Sequence, residues 1–310
     1  MRAPSTGGPA GGAPPLRVAV CTNREPEEIA ASLAALEAQA DPGAVLLVLS
    51  GLPPALAGAH RAAWGGTVLE EPLPGLSRAR NRALAACDEG DVLAFVDDDA
   101  VVAPGWWEAL RRRWGEAPDA VACLGGPIRP RYAVPPPAWL SPAILPTLTV
   151  LDLGSEVRDL DPARTTVYGA NVAFRVGPLR RAGGFDPAFG HAGGRVFFSE
   201  EDEAQRALAA LGYGTRYVPD AAVWHLIPAA RLTRRAFLRR RFAYGAALGL
   251  RGGRARRAAL RQALSSVAGL PVAALRRDDR TLMARAVRAA ENVGVLSARH
   301  PRRPPPARRA

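Results

Sequence analysis

Residues 92–99 read VLAFVDDD, five apolar residues followed directly by three aspartates. The apolar run has the length of a buried strand, and turn-forming Gly90 and Pro104 lie before and after this stretch. Because ionised carboxylates are costly to remove from water, the strand is predicted to end where the acidic run begins. Ligands of open α/β sheets bind beyond the carboxyl ends of the strands, and Mg²⁺ prefers carboxylate and phosphate oxygens. The stretch therefore predicts either a metal–diphosphate site or an acidic turn on a solvated loop.

Short apolar runs alternate with helical patterns over the first 125 residues. This alternation predicts an α/β fold, Rossmann-like, with a mainly parallel sheet covered by helices. The predicted strands are Leu16–Thr22, Val45–Ser50, Thr67–Leu69, Val92–Val96 and Ala120–Leu124, and the predicted helices are Pro26–Ala38, Ala55–Ala63, Arg78–Ala86 (with Ser77 as its cap) and Pro104–Trp114.

The pattern becomes irregular in the second half. Six prolines in Ile128–Pro146 predict that this segment is neither a helix nor a central strand. It is expected to be either a functional lid or binding loop, or a passive excursion of the chain. Further strands are predicted at Val167–Val176, Arg216–Val218 and Ala222–Trp224, with His225 just after the last, and an amphipathic helix is predicted from Glu200 to Leu211.

Charge is divided unevenly along the chain. Residues 226–310 hold 21 arginines against three acids, whereas residues 1–225 hold 20 arginines against 26 acids. This asymmetry predicts two functional regions, although GC-rich coding also raises arginine content. No apolar run approaches the ~20 residues that span a bilayer. The cysteines Cys21, Cys87 and Cys123 show neither metal nor disulfide spacing and are expected to be reduced thiols.

Seven short motifs follow one another along the chain. They are VCTNR (20–24), GLSRARN (75–81), DDD (97–99), GANVAFR (169–175), GGFD (183–186), ED (201–202) and VWH (223–225). Each is unspecific alone, but in this order and spacing they resemble the family 2 glycosyltransferases, which have the glycosyltransferase A fold. The resemblance covers about Leu16 to Arg251.

The resemblance implies a single nucleotide-diphospho-sugar transferase domain followed by Arg-rich C-terminal helices. We expect a disordered leader at 1–15, a glycosyltransferase A-type catalytic domain at 16–228, a basic helical extension at 229–299 and a disordered tail at 300–310. Such a protein is expected to be cytoplasmic, with peripheral attachment at the inner face of the membrane as a further expectation.

The resemblance also implies a divalent metal, Mg²⁺ or Mn²⁺, as cofactor. Asp99 would ligate this metal, Asp97 would lie near the metal or the ribose, and His225 would contact the metal or a phosphate. A metal ion bridging the diphosphate stabilises the leaving group as a Lewis acid. Asp98 is expected at the nucleotide-sugar site, but in an extended segment it points to the opposite side and a structural role stays open. A hydrogen-bonded structural role is the alternative for His225.

Asp202 matches the position of the general base in this family. A carboxylate at a helix N-terminus is stabilised there, and it need only accept a proton as the acceptor hydroxyl attacks. The alternative is that Glu200, Glu201 and Asp202 only cap the helix.

The nucleotide-sugar contacts also have alternatives. Arg78 and Arg80 could instead lie on a solvated face of their helix, and Asn171 either holds the donor sugar or braces a loop. The expected nucleotide-sugar contacts are Thr22, Asn23, Arg24, Arg78, Arg80, Asn81, Asp97, Asp98, Asn171 and Glu201.

The donor and the acceptor are less defined. Many relatives carry an Asp-rich turn after the second strand that contacts the base, but Leu49–Pro53 contains no Asp. A UDP-sugar is expected from its frequency in the family, and GDP- and dTDP-sugars stay open. The acceptor would be a hydroxyl of a glycan, a lipid-linked compound or a small molecule.

The basic stretch Arg231–Arg251 suits an anionic membrane surface or an anionic acceptor, or else it is a helix packed on the domain. Nucleic acid is disfavoured as a partner because no nucleic-acid module is recognisable.

The expected activity is inverting, metal-dependent glycosyl transfer by single displacement. The alternatives are a catalytically silent, membrane-associated nucleotide-sugar-binding scaffold and a nucleotidyltransferase that releases pyrophosphate.

Overall fold

The computed structural model describes residues 13–41, 43–187, 191–192, 195–196, 200–249, 257, 259–260, 262 and 278–298. The strands of this described part form three sheets. They are β1 (Leu16–Thr22), β2 (Val45–Ser50), β3 (Thr67–Glu71), β4 (Val92–Val96), β5 (Ala100–Val102), β6 (Val121–Gly125), β7 (Ile128–Tyr132), β8 (Arg158–Leu160), β9 (Asn171–Arg175), β10 (His191–Ala192), β11 (Arg195–Val196), β12 (Gly214–Tyr217) and β13 (Val223–Ile227).

The central sheet has eight strands in the order β3-β2-β1-β4-β9-β6-β12-β8. Strands β3, β2, β1 and β4 pair in parallel, and β9 enters antiparallel between β4 and β6. Strand β12 pairs in parallel with β6, and β8 closes the far edge antiparallel. Six of the eight strands therefore run in one direction, which confirms the predicted α/β fold with a mainly parallel sheet.

Every residue of β2, β4 and β6 is buried, as expected for strands whose sheet is covered on both faces. The structure describes eight α-helices, of which five lie close to helices predicted with bounds, whereas the one at Val176–Arg181 begins where a strand was predicted to end. The eight helices are α1 (Pro26–Glu37), α2 (Pro54–Ala63), α3 (Leu76–Ala85), α4 (Trp106–Glu116), α5 (Val176–Arg181), α6 (Glu200–Ala210), α7 (Arg234–Gly249) and α8 (Asp279–Ser297).

Three local predictions differ from the structure. Ser77 is a buried residue within α3, and Gly75 is its N-cap instead. His225 lies inside β13 and not after it. The strand predicted at Val167–Val176 is shorter and spans Asn171–Arg175. The proline-rich segment contains β7 at the edge of the three-stranded sheet β5-β13-β7, where the missing backbone N–H of Pro130 is tolerated, in agreement with the prediction that it is not a central strand.

The C-terminal helices pack against the proline-rich segment. A second apolar cluster joins Trp139 and Ile144 of that segment, and Leu148 just after it, to Phe237 of α7 and Met283 of α8. Helices α7 and α8 touch at glycines, since a Cβ on Gly245 would collide with the carbonyl of Glu291.

The domain boundaries stay predictions. The predicted leader, except residues 13–15, and the predicted C-terminal tail lie outside the described residues.

None of the helices described in the structure combines the length and the apolar character that crossing a membrane requires.

Candidate active site

The acidic run occupies the turn between two sheets. Strand β4 ends at Val96 in the central sheet, and β5 begins at Ala100 in the three-stranded sheet. In the antiparallel pairing of β5 with β13, His225 lies opposite Ala100, and the backbone N–H of Leu226 donates to the carbonyl of Asp99 at 2.8 Å. This register brings the Asp99 carboxylate next to the His225 imidazole at the carboxyl end of β4.

Asp99 is buried among positive groups. Its carboxylate lies 2.9 Å from Nη2 of Arg231, 3.1 Å from Nη2 of Arg24 and 3.3 Å from Nε2 of His225. Burial raises the pKa of Asp99, but His225 and the two guanidiniums together hold that pKa well below its usual range. Asp99 is therefore a carboxylate throughout the neutral range.

The His225 ring is held in one tautomer. Its Nδ1 lies 2.8 Å from the carbonyl of Leu148, which can only accept, so Nδ1 carries the hydrogen. Nε2 then lies 3.3 Å from Oδ1 of Asp99 and 3.0 Å from Nη1 of Arg231. Arg231 thus contacts both residues of the pair.

The Asp99–His225 pair fits two positions of a divalent-metal shell. Neighbouring ligands around an octahedral ion with bonds of about 2.1 Å lie about 3 Å apart, close to the observed 3.3 Å between Asp99 Oδ1 and His225 Nε2. Within the described part of the chain, no group of three or more His, Cys, Asp and Glu residues could hold a metal. Phosphate and water oxygens are ligands that Mg²⁺ typically takes beside one or two carboxylates.

Asp98 faces the end of β1. Its carboxylate accepts from the Thr22 hydroxyl at 2.8 Å and lies 3.4 Å from Nε of Arg24. Burial raises the pKa of Asp98 to about 6, against the opposing effects of Arg24 and Thr22. The neighbouring Asn23 is exposed. The predicted segment Thr22–Arg24 therefore does lie beside the acidic turn.

Arg80 connects the acidic turn to the start of α6. Its guanidinium is 2.9 Å from Glu200, 3.5 Å from Asp97 and 3.8 Å from Glu201, and it lies over the ring of Phe95. Burial lowers the pKa of Arg80, but these carboxylates outweigh that effect and raise it. Its donors are directed at carboxylates in this structure, so a phosphate contact stays a prediction.

Asn81 and Asn171 brace the backbone. Asn81 donates to the carbonyl of Phe185 at 2.7 Å and accepts from the N–H of the same residue at 2.9 Å. The buried Asn171 accepts from the indole of Trp106 and donates to the carbonyls of Pro127 and Ala221. The bracing alternative for Asn171 thus has contacts in the structure, whereas Arg78 is simply exposed.

Glu201 and Asp202 face a cavity of about 130 Å³. Asp202 accepts from the hydroxyl of Thr166, and Glu201 accepts from the backbone N–H of Gly169 at 3.1 Å. Burial, with the charges of Glu200 and Asp202, raises the pKa of Glu201 to about 8. The opposite wall includes Thr149 together with Arg240 and Tyr244 of α7.

Sequence reasoning did not single out three residues that border these sites. Arg231 contacts Asp99 and His225, and Thr149 and Arg240 line the cavity at Asp202. Arg231 and Arg240 belong to the basic stretch that was interpreted only by its overall charge.

A family model for "Glycosyl transferase family 2" matches residues 18–179, more than half of the chain. The chain belongs to this family. The matched range contains the acidic turn and Asn171 but ends before Glu201, Asp202 and His225. The membership predicted from the motifs is thereby confirmed.

One curated relative is a "Glucosyl-dolichyl phosphate glucuronosyltransferase" of Haloferax volcanii, 33% identical over 119 residues. The alignment covers 38% of this family 2 chain and 37% of that relative, so the chain spans little more than a third of its length. A solved structure, GalNAc-T7 with UDP, GalNAc and Mn²⁺, superposes with a TM-score of 0.53 at 14% identity. The superposition covers 74% of this chain and 47% of the GalNAc-T7 chain, and at this identity it supports only the glycosyltransferase A fold.

Proposed function

We propose that this protein is an inverting glycosyltransferase that moves a sugar from a nucleotide-diphosphate donor to an acceptor hydroxyl. The observation that carries the proposal is the proximity of two sites. Arg80 contacts Asp97, in the acidic turn that carries Asp99, and also Glu200, at the start of the helix that carries Asp202. Family membership, established over residues 18–179, supports the same reaction class.

A divalent ion, Mg²⁺ or Mn²⁺, would be held by Asp99 and His225, with Asp97 nearby, and would supply Lewis-acid stabilisation of the departing diphosphate. The distance between Asp99 and His225 and the tautomer of His225 support this proposal. The crystals of GalNAc-T7 contained Mn²⁺, which agrees with it. Arg24 and Arg231 add positive charge beside the same position.

Asp202 is proposed as the general base. It is buried at the start of α6 and faces the cavity, where an acceptor hydroxyl could approach it. The hydrogen bond from Thr166 orients the carboxylate, which would take the proton as the hydroxyl attacks. Single displacement, and hence inversion at the anomeric carbon, follows from the family resemblance with Asp202 as the proposed base.

The relatives' names bear on the substrates. GalNAc-T7 was crystallised with UDP and GalNAc, which supports a nucleotide-sugar donor, with a UDP-sugar as the first choice and GDP- or dTDP-sugars to be tested beside it. The archaeal relative's name describes transfer to a glucosyl-dolichyl phosphate. A lipid-linked acceptor at a membrane surface is therefore the acceptor that we would test first.

The test is a thermal-shift screen of UDP, GDP and dTDP and of their sugars, with and without Mn²⁺, because a ligand of the folded state raises apparent stability by mass action. We expect one nucleotide to shift the melting temperature only with the metal. The binding donor is then incubated with acceptors and the released product is identified. Nucleoside diphosphate supports the proposal, pyrophosphate would indicate a nucleotidyltransferase, and binding without turnover would indicate the silent scaffold.

Asp202→Asn is the matched variant for the chemical step. It should bind the donor as the wild type does and lose transfer. Near-normal transfer by this variant would exclude Asp202 as the base. The anomeric configuration of the product, measured by NMR, tests inversion independently.

A further inference from the structure

The cavity at Asp202 is closed on one side by the basic helix α7. Arg240 and Tyr244 of this helix line the same cavity as Glu201 and Asp202. The Nη2 of Arg240 donates to the hydroxyl of Thr149 at 3.1 Å. The Arg240 side chain is half-buried, so its charge is only partly screened by solvent.

Thr149 is held in an unusual backbone conformation at this contact. Its φ is 60°, and it is the only non-glycine residue with positive φ in the described part of the chain. A β-branched residue adopts the left-handed region only when its surroundings enforce it, and such positions are concentrated at functional sites. The conformation ends the short 3₁₀ helix Pro142–Leu148 and sets the hydroxyl against Arg240.

The acidic side of the cavity carries less charge than its residue types suggest. The raised pKa of Glu201, about 8, means that this side chain is largely protonated at neutral pH. Arg241 is paired with Glu291 at 2.7 Å. Burial, together with the charge of Arg231, lowers the pKa of Arg240 to about 10 against the opposing charges of Asp99 and Asp97, so Arg240 is still a cation at neutral pH. A half-buried guanidinium beside a hydroxyl and a phenol is suited to an oxyanion.

We propose that Arg240, with Thr149 beside it, binds an anionic group, of the phosphate class, on the acceptor. The proposal rests on the proposed glycosyltransferase function and adds the chemical class of its acceptor. Arg240 is assigned to the acceptor because it shares a cavity with Asp202, the proposed base. Asp99, at the position expected for the donor diphosphate, already contacts two other arginines, Arg24 and Arg231.

The test uses the full chain and inorganic phosphate as the probe, with affinity measured by calorimetry at low salt. Arg240→Gln should weaken phosphate binding at least tenfold. Arg239→Gln is the matched control, because Arg239 is the neighbouring residue of the same helix and is exposed. It should bind phosphate like the wild type. Equal affinity of the two variants would overturn the proposal.

A second arm separates the acceptor anion from the donor diphosphate. With Mn²⁺ and a saturating nucleoside diphosphate from the thermal-shift screen, phosphate should still bind to the wild type, and Arg240→Gln should bind that nucleotide within about twofold of wild type. Displacement of phosphate by the nucleotide, or a tenfold loss of nucleotide affinity in Arg240→Gln, would assign Arg240 to the donor and overturn the proposal.

Glucose 1-phosphate and methyl glucoside are then compared as ligands. Arg240→Gln should weaken the binding of glucose 1-phosphate and leave the binding of methyl glucoside, which has no phosphate, unchanged. If Arg240→Gln does not fold, Arg240→Lys and Thr149→Val replace it, with a loss of phosphate affinity expected in both. If no nucleoside diphosphate binds to the wild type, the transferase function fails and the acceptor assignment fails with it. The first arm still decides whether Arg240 binds an anion.

Discussion

Arg80 and Glu200 form an ion pair of 2.9 Å in which each side chain is only 3% exposed. The pair joins α3 to the start of α6, and Arg80 also reaches Asp97, 3.5 Å away at the end of β4. The acidic turn and the helix that carries the proposed base are therefore fixed by a single guanidinium. A buried pair of this kind is strongly destabilised when one partner is removed, because the other charge is left unpaired.

Arg80→Met should lower the free energy of unfolding by roughly 3–5 kcal/mol, measured by urea denaturation. The double variant Arg80→Met/Glu200→Met should lose less than the sum of the two single variants, because it leaves neither charge of the pair unpaired. Arg78→Met, at an exposed position of the same helix, should change stability by no more than about 0.5 kcal/mol. Additive losses in the double variant would contradict a coupled pair.

Gly169→Ala should also disturb the ion pair between Arg80 and Glu200. A Cβ at this position would overlap the guanidinium of Arg80 and displace it from Glu200. We expect a loss of roughly 1–3 kcal/mol, the range for overpacking in a core. Gly58→Ala in α2 is the control, since its Cβ would meet no atom within 4 Å, and it should stabilise by about 0.5–1 kcal/mol. A neutral effect of Gly169→Ala would show that Arg80 can shift without cost.

Arg231→Ala should tighten Mn²⁺ binding, because Arg231 contacts both proposed ligands of the metal, Asp99 and His225. A competing cation at the site opposes the metal, and its removal should raise Mn²⁺ affinity about tenfold, which corresponds to about 1.4 kcal/mol. Calorimetry or paramagnetic resonance of the full chain measures this affinity directly. Asp99→Asn should weaken it, and Arg234→Ala, which removes a pair with Asp279 instead, should leave it unchanged. Weaker Mn²⁺ binding by Arg231→Ala would mean that Arg231 supports the metal site.

Stability should fall as pH rises through the titration of Glu201. Burial, with the charges of Glu200 and Asp202, raises the pKa of Glu201 from 4.5 to about 8 in the folded protein. The folded state therefore binds more protons than the unfolded state between these two values, and the free energy of unfolding falls with pH across that window. Below 4.5 the Glu201 carboxyl is protonated in both states and its contribution is constant.

Glu201→Gln removes this titration. Its melting temperature should exceed that of the wild type by an amount that grows between about pH 5 and pH 8, the window in which only the unfolded state ionises. Glu203→Gln, two residues further along α6, should show no such trend. A parallel pH dependence in wild type and Glu201→Gln would indicate that Glu201 is ionised in the folded protein.

Local patterns in the sequence determined much of the fold. The apolar runs of β1, β2 and β4 and the helices between them were predicted within a few residues, because their hydrophobic periodicity and their turn residues are contiguous in the chain. The end of β4 at Val96, just before Asp97, followed from the cost of burying carboxylates. The order of the seven motifs identified the family, which the match over residues 18–179 confirms.

The tertiary structure alone decided which side chains meet. His225 reaches Asp99 through the register between β13 and β5, and Arg80 reaches Glu200 although 120 residues separate them. Arg240 borders the cavity because α7 packs on the proline-rich segment, and Arg231 reaches Asp99 from the short 3₁₀ helix Ala229–Leu232 that follows β13. Strand register and helix docking depend on contacts between distant parts of the chain, so no local pattern of charge or hydrophobicity specifies them. The sequence by itself therefore determined the sheet, the acidic strand end and the family, whereas packing determined the partners of each charged group.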